Sequence, residues 1–241
     1  MRYGAIINAG AIVIAGFLGM YVGGFIKENI KETVMKANGA ATIVIAISGA
    51  LSKIFVITED GISTQGSVMM VVCIALGAVI GEILHIEDWL ERFGGWLKEK
   101  SGNSNSVGFI DAFVTTTIIV GVGAMAIVGS IEDGINGNNS ILLVKTVLDI
   151  VIVMVLSSTL GKGCMFSAIP VLILEGGITL LAQFLAPVMT TQALNAMSLV
   201  GNVLILGVGI NLIWPKTIRV ANLLPAMIFT FIWATLNLPM T

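Results

Sequence analysis

The sequence predicts an all-α protein, a polytopic membrane bundle of about eight transmembrane helices with one amphipathic helix lying at the interface. Three observations carry this prediction. Hydrophobic residues make up 56% of the 241 and charged residues only 11%, where a soluble domain carries about 25%. The apolar residues come in runs about as long as a bilayer is thick, separated by short polar loops. A soluble fold of this composition would expose apolar surface on every side, so lipid is its natural solvent. The whole chain, 1–241, reads as a single integral membrane domain.

The runs fall at 4–26, 38–57, 66–84, 107–129, 140–161, 164–186, 193–214 and 221–238. The first is too long for a signal-peptide core and no clear cleavage site follows, so it reads as a retained helix. Pro215 separates the last two by a very short loop. The basic residues orient the bundle. With eight spans and an outer N-terminus, the inner loops hold Lys27, Lys31, Lys36, Arg92, Lys98, Lys100, Lys162, Lys216 and Arg219, leaving Arg2, Lys53 and Lys145 on the outer side. Nine against three is a positive-inside bias with both termini outside, and Arg2 is its main exception.

Residues 86–100 are too polar to span. Ile86, Trp89, Leu90, Phe93 and Leu97 share one helical face, and Glu87, Asp88, Glu91, Arg92 and Lys98 the other. Such a helix lies flat at the inner surface with Trp89 and Trp96 near the headgroups. The following 101–106 stretch, SGNSNS, is a linker.

Short matches point to inverted repeats. Gly49-Ala50 followed by Glu59-Asp60-Gly61-Ile62 parallels Gly123-Ala124 followed by Glu132-Asp133-Gly134-Ile135, both strings ending in outer loops. Ile119–Gly123 (IVGVG) parallels Ile205–Gly209 (ILGVG) in a span of opposite direction. Inverted repeats are the usual architecture of secondary transporters. Ala11, Ala15, Gly19 and Gly23 form a stripe in the first span, and Gly77 and Gly81 a GxxxG in the third. These small residues let helix backbones approach closely, within the chain or between the copies of a homodimer.

Polar groups inside the spans carry the functional reading. Asp149 sits midway through the fifth span with Lys145 one turn earlier, an i,i+4 pair that is costly to bury in a bilayer. Alternatively Lys145 snorkels to the interface and leaves Asp149 alone. Glu175 lies in the sixth span between Pro170 and Gly176-Gly177, which together predict a helix broken near its middle. Asn8, Asn202 and Asn211 complete the set, with Asp111 and Glu82 expected near the interface. For each of these the alternative is a structural interhelical hydrogen bond.

Other classes are excluded or disfavoured. A net charge of −2 offers no basic surface for nucleic acid. One histidine, His85, and two separated cysteines, Cys73 and Cys164, make neither a zinc site nor a disulfide framework. No phosphate-binding loop, HExxH or GxSxG occurs, so neither an enzyme nor an organic cofactor is expected.

The chain resembles, over nearly its whole length, the bacterial membrane-protein family catalogued as domain of unknown function 554. The resemblance rests on Asn8 with the glycine-rich first span, Asn38–Leu51, Gly81–Ile86, Gly129–Gly134, Leu142–Asp149, Ser167–Pro170, Gly176 through Ala182, the polar pattern of the seventh span and Asn222–Pro225. It implies a polytopic inner-membrane protein of bacteria and carries no mechanism. It also implies that Lys145 and Asp149 match the family pattern, whereas Glu175 departs from it by standing where glutamine is expected, and so ranks below Asp149.

The sequence therefore points to a secondary transporter or channel-like permease for a small solute, with proton or sodium coupling through Asp149. Lys145, Asn8, Glu175 and Asn211 would line the site. The competing reading is a membrane scaffold whose polar groups stitch helices together. The partners expected are the lipid bilayer, a small-molecule or ion substrate and a second copy of the chain.

Overall fold

In a bilayer the backbone has no water to bond, so each crossing segment must satisfy its own amides as helix. The structure, a computed structural model, describes residues 3–25, 27–58, 61–102, 108–121, 124–185, 187, 189–236 and 238. Its elements are α1 (Gly4–Gly23), α2 (Glu28–Ile54), β1 (Phe55–Thr58), β2 (Gly61–Thr64), α3 (Ser67–Leu84), α4 (Ile86–Lys100), α5 (Phe109–Gly121), α6 (Ala124–Asn136), α7 (Ser140–Leu160), α8 (Gly163–Phe166), α9 (Ala168–Leu185), α10 (Thr191–Ile213), a 3-10 turn (Val220–Leu223) and α11 (Pro225–Thr235). The chain is a helical membrane bundle.

The number of spans differs from the expected eight. Among the described residues six stretches are long and apolar enough to cross, and the bent pair Phe109–Gly121 with Met125–Asn136, at 62°, makes a seventh. The predicted last span, 221–238, is instead a 3-10 turn followed by the short α11. Pro225 opens α11, where its fixed φ and missing N–H favour a new helix start.

Other boundaries move for local reasons. The helix predicted at 38–57 begins at Glu28 and stops at Ile54, because Phe-Val-Ile-Thr, rich in β-branched residues, enters an antiparallel hairpin pairing Ile57 with Ile62. The predicted fourth span is two helices. The predicted break of the sixth span at Gly176-Gly177 does not occur, and α9 runs through both glycines. Pro170 falls in its first turn, where helix amides have no partner to lose. The paired EDGI strings adopt different structures: Gly61-Ile62 lie in a strand and Gly134-Ile135 in a helix, with Glu59, Asp60 and Gly123 outside the described residues.

Where the sequence reads as one membrane domain, the contacts group into two compact units, Met1–Ala37 with Asp88–Ala186, and Asn38–Glu87 with Pro187–Thr241. In the first unit α1 packs along α7, with α9 and α6 beside them. α1 has large residues outside and small ones inside: Phe17 and Tyr21 are exposed, whereas Ala15, Gly16, Gly19 and Gly23 are buried. A Cβ on Gly19 would meet the carbonyl of Met154, and one on Gly23 that of Ser158. Ser157 Oγ donates to the carbonyl of Gly16 at 2.7 Å across the same contact. The predicted amphipathic helix is α4. Leu90, Gly94 and Leu97 face inward, and Trp89 and Trp96 outward, flanking Phe93 in a stack.

In the second unit, Gly77 and Gly81 of α3 press on Ala226 and on the backbone of Asn222. Asn222 bonds Glu82 Oε2 at 2.5 Å and accepts the amide of Glu87 at 2.7 Å, while Arg219 pairs with Glu82 at 2.6 Å. Both stripes proposed for close approach are thus used inside the chain. Both cysteines are buried and free.

Two substitutions on α1 test the packing. Gly19→Ala should cost about 1–3 kcal/mol by overpacking, whereas Gly10→Ala, with nothing within 4 Å of its Cβ, should change stability by about 0.5 kcal/mol or less. Apparent melting temperatures in one detergent make the comparison, and equal values would remove the close-approach argument.

Candidate functional site

Three helices of the first unit bring four polar side chains together. α7 supplies Lys145 and Asp149 from one face, because residues four apart are neighbours along a helix. α1 supplies Asn8 and α9 supplies Glu175. The Lys145 ammonium donates to Asp149 Oδ2 and lies 3.2 Å from Glu175 Oε1. Asn8 Nδ2 donates to Asp149 Oδ2 at 3.0 Å and to Glu175 Oε1 and Oε2 at 3.0 and 3.1 Å. One ammonium and one amide therefore bridge two carboxylates on separate helices.

The cluster is sealed. Asn8 and Glu175 are 0% exposed, Asp149 3% and Lys145 6%. Lys145 turns inward rather than snorkelling. With both carboxylates ionised, the cluster carries two negative charges against one positive. Burial makes such an imbalance expensive, so a proton or a small cation is the chemistry that the arrangement can accept. Among the described residues no group of three or more His, Cys, Asp or Glu side chains could hold a metal ion.

Asn8, Lys145, Asp149 and Glu175, predicted as candidates from three apolar runs, are thus in contact. Asn211 is not among them. It lies in the second unit, where its side chain accepts from the amides of Thr217 and Ile218 at 3.1 and 2.9 Å and donates to the Ile218 carbonyl at 2.7 Å. It shapes the loop after α10. Asn202 donates to the Ser198 carbonyl of its own helix at 2.7 Å, and Asp111 and Glu82 are exposed.

Asp133, expected in an outer loop from the sequence, takes a different position. It is 0% exposed, within α6, and its Oδ2 accepts the amide of Gly4 at 3.0 Å. The carboxylate thus caps the first turn of α1 from another helix. Its local pattern, Glu-Asp-Gly, looks like a turn, and only the non-local partner identifies it.

The sequence profile of the family described as Protein of unknown function (DUF554) matches residues 3–235, and the chain belongs to that family. It is 28% identical over 230 residues to Uncharacterized membrane protein YdfK of Bacillus subtilis (strain 168), covering 94% of this chain and 93% of that protein. It is 26% identical over 232 residues to Uncharacterized protein YqgA of Escherichia coli (strain K12), covering 95% and 94%. No solved structure matches the chain.

The charge arithmetic orders the effects of substitution. Lys145→Met leaves two buried carboxylates without their cation and should cost about 3–5 kcal/mol. Asp149→Asn leaves Lys145 paired with Glu175 and should cost less. Adding Glu175→Gln to Lys145→Met should recover part of the loss. Melting temperatures of the purified variants decide it, and a Lys145→Met protein as stable as the parent would contradict the pairing.

Proposed function

We propose that the protein is a secondary transporter or channel-like permease for a small solute, with proton or sodium exchange at the Asn8–Lys145–Asp149–Glu175 cluster. The observation that supports this reading is two carboxylates sharing one lysine in the interior of membrane-spanning helices. Ionisable groups at membrane depth are costly and mark ion or substrate pathways by default. A carboxylate in excess is a place where a proton or cation can be gained and lost. No enzymatic step and no organic cofactor belong to this reading.

The same reading assigns the protein to the bacterial inner membrane. Counting the bent pair and the short apolar stretch Val220–Thr235 as crossings gives an even number, with the basic residues mainly inside and both termini outside. The small-residue stripes are already used within each unit, so a homodimer would form through another face.

A second reading, a membrane scaffold or regulatory protein, draws support from the sealing of the cluster. On the transport reading that seal is an occluded state which opens during the cycle. On the scaffold reading it is permanent, and the ion pair only holds three helices together.

The melting temperature of the detergent-purified protein, measured against a panel of ions and small metabolites, separates them. A ligand of the folded state stabilises the protein by mass action, by about 2.7 kcal/mol at a hundredfold excess over Kd, and so raises that temperature. Transport predicts a shift that Asp149→Asn abolishes while leaving the fold intact, together with loss of uptake of that solute in proteoliposomes. A solute whose uptake is unchanged in Asp149→Asn would rule out the coupling role.

A further inference from the structure

Among the described residues of the first unit six buried side-chain oxygens have no hydrogen-bond partner: Thr116 Oγ1 and Thr117 Oγ1 on α5, and Asn8 Oδ1, Ser130 Oγ, Asp133 Oδ1 and Thr179 Oγ1 on α1, α6 and α9. Asn8, Ser130, Asp133 and Thr179 are between 0 and 5% exposed. An orphaned buried acceptor is rare, because it loses water and gains nothing in return. The four on α1, α6 and α9 admit a common explanation, whereas the two on α5 stand apart from them.

The contacts place them along one seam. Gly4 meets Asp133 and Leu142, whereas Gly16 meets Met165 just before α9, so numbering rises on α1 as it falls towards the start of α9. Gly134, next to Asp133, lies against Ala182 and the backbone of Thr179. Asp133, Thr179 and Gly4 therefore share one level of the bundle. One turn further in, about 6 Å along each axis, come Ser130 on α6, Asn8 on α1 and Glu175 on α9. The four residues fall at two successive levels of α1, α6 and α9.

We propose that this seam binds a small alkali cation, sodium being the probe, through Asp133 Oδ1, Thr179 Oγ1, Ser130 Oγ and Asn8 Oδ1. Carboxylate, hydroxyl and amide oxygens are hard donors that suit such an ion and offer nothing to a thiophilic metal. A divalent ion would call for more carboxylates or for retained waters, and only one carboxylate oxygen is free here. The second oxygen of Asp133 is already bonded to the amide of Gly4. The bound charge lies one turn from the neighbouring cluster and offsets the negative charge that Lys145 leaves uncompensated. The site consists mainly of residues outside that cluster, so it serves a transporter or a scaffold equally and does not rest on the transport reading.

Equilibrium binding of radioactive sodium to the purified full chain, with choline chloride as the replacement salt, tests the site. The expected result is saturable binding that Thr179→Val and Ser130→Ala each weaken about tenfold or more, the loss of one ligand oxygen. Thr159→Val, whose hydroxyl bonds the carbonyls of its own helix, leaves it unchanged. Absence of saturable binding in the folded parent protein overturns the proposal, as does binding indifferent to both hydroxyl losses. A Thr179→Val protein whose melting temperature rises equally with and without sodium would mean that the oxygens bind an ordered water only, and overturns it too.

Discussion

The distance between α1 and α7 governs the first unit. It is set by hydrogen atoms standing where side chains would be: Gly19 and Gly23 admit the carbonyls of Met154 and Ser158 against the backbone of α1. Lipid tails are as apolar as leucine, so hydrophobicity supplies little drive for two such helices to associate. Close van der Waals contact and bonds such as Ser157 to Gly16 do so instead. Because the two helices run parallel at this separation, the short side chain of Asn8 reaches Asp149 on one neighbour and Glu175 on another. A larger residue in the stripe would move Asn8 out of reach and leave both carboxylates with Lys145 alone.

The second unit solves a similar problem at a helix end. Gly81 lets α3 approach the backbone of Asn222, and the side chains around that contact close on one another. Glu82 takes Arg219 and Asn222, while Glu87 accepts the amide of Ala221 at 3.2 Å. The stretches Gly81–Ile86 and Asn222–Pro225, which separately carried the family resemblance, are neighbours in one joint. Between α3 and α4, His85 adopts a left-handed conformation with φ 51°, so the chain turns there without a glycine.

Much of this was legible in the residues, and the rest depends on partners that sequence does not name. The stripe of α1 shows as a four-residue period. Asn8, Lys145, Asp149 and Glu175 stand out because polar residues are conspicuous in apolar runs. The amphipathic face of α4 is a matter of spacing, which sequence records directly. What was missed is tertiary or competitive. The pairing of Lys145 with Glu175 crosses 30 positions and two helices. Asp133 carries a turn-like neighbourhood, yet the first amide of α1 keeps it in a helix. Gly176-Gly177 should weaken a helix, but unbonded backbone is dearer in lipid than glycine's conformational freedom, so α9 persists. Asn211 near a helix end reads equally well as a site residue or a loop anchor, and the loop holds it.

The burial of both cysteines has a practical consequence for chemical labelling. Thiols react as thiolates with reagents that can reach them, and neither Cys73 nor Cys164 offers its sulfur to solvent. The native chain is therefore already a quiet background for maleimides. A cysteine introduced at Ile62, 77% exposed on the hairpin, would be the reactive thiol of that variant. An impermeant reagent applied to whole cells would then report which side of the membrane the hairpin faces, without first replacing either native cysteine.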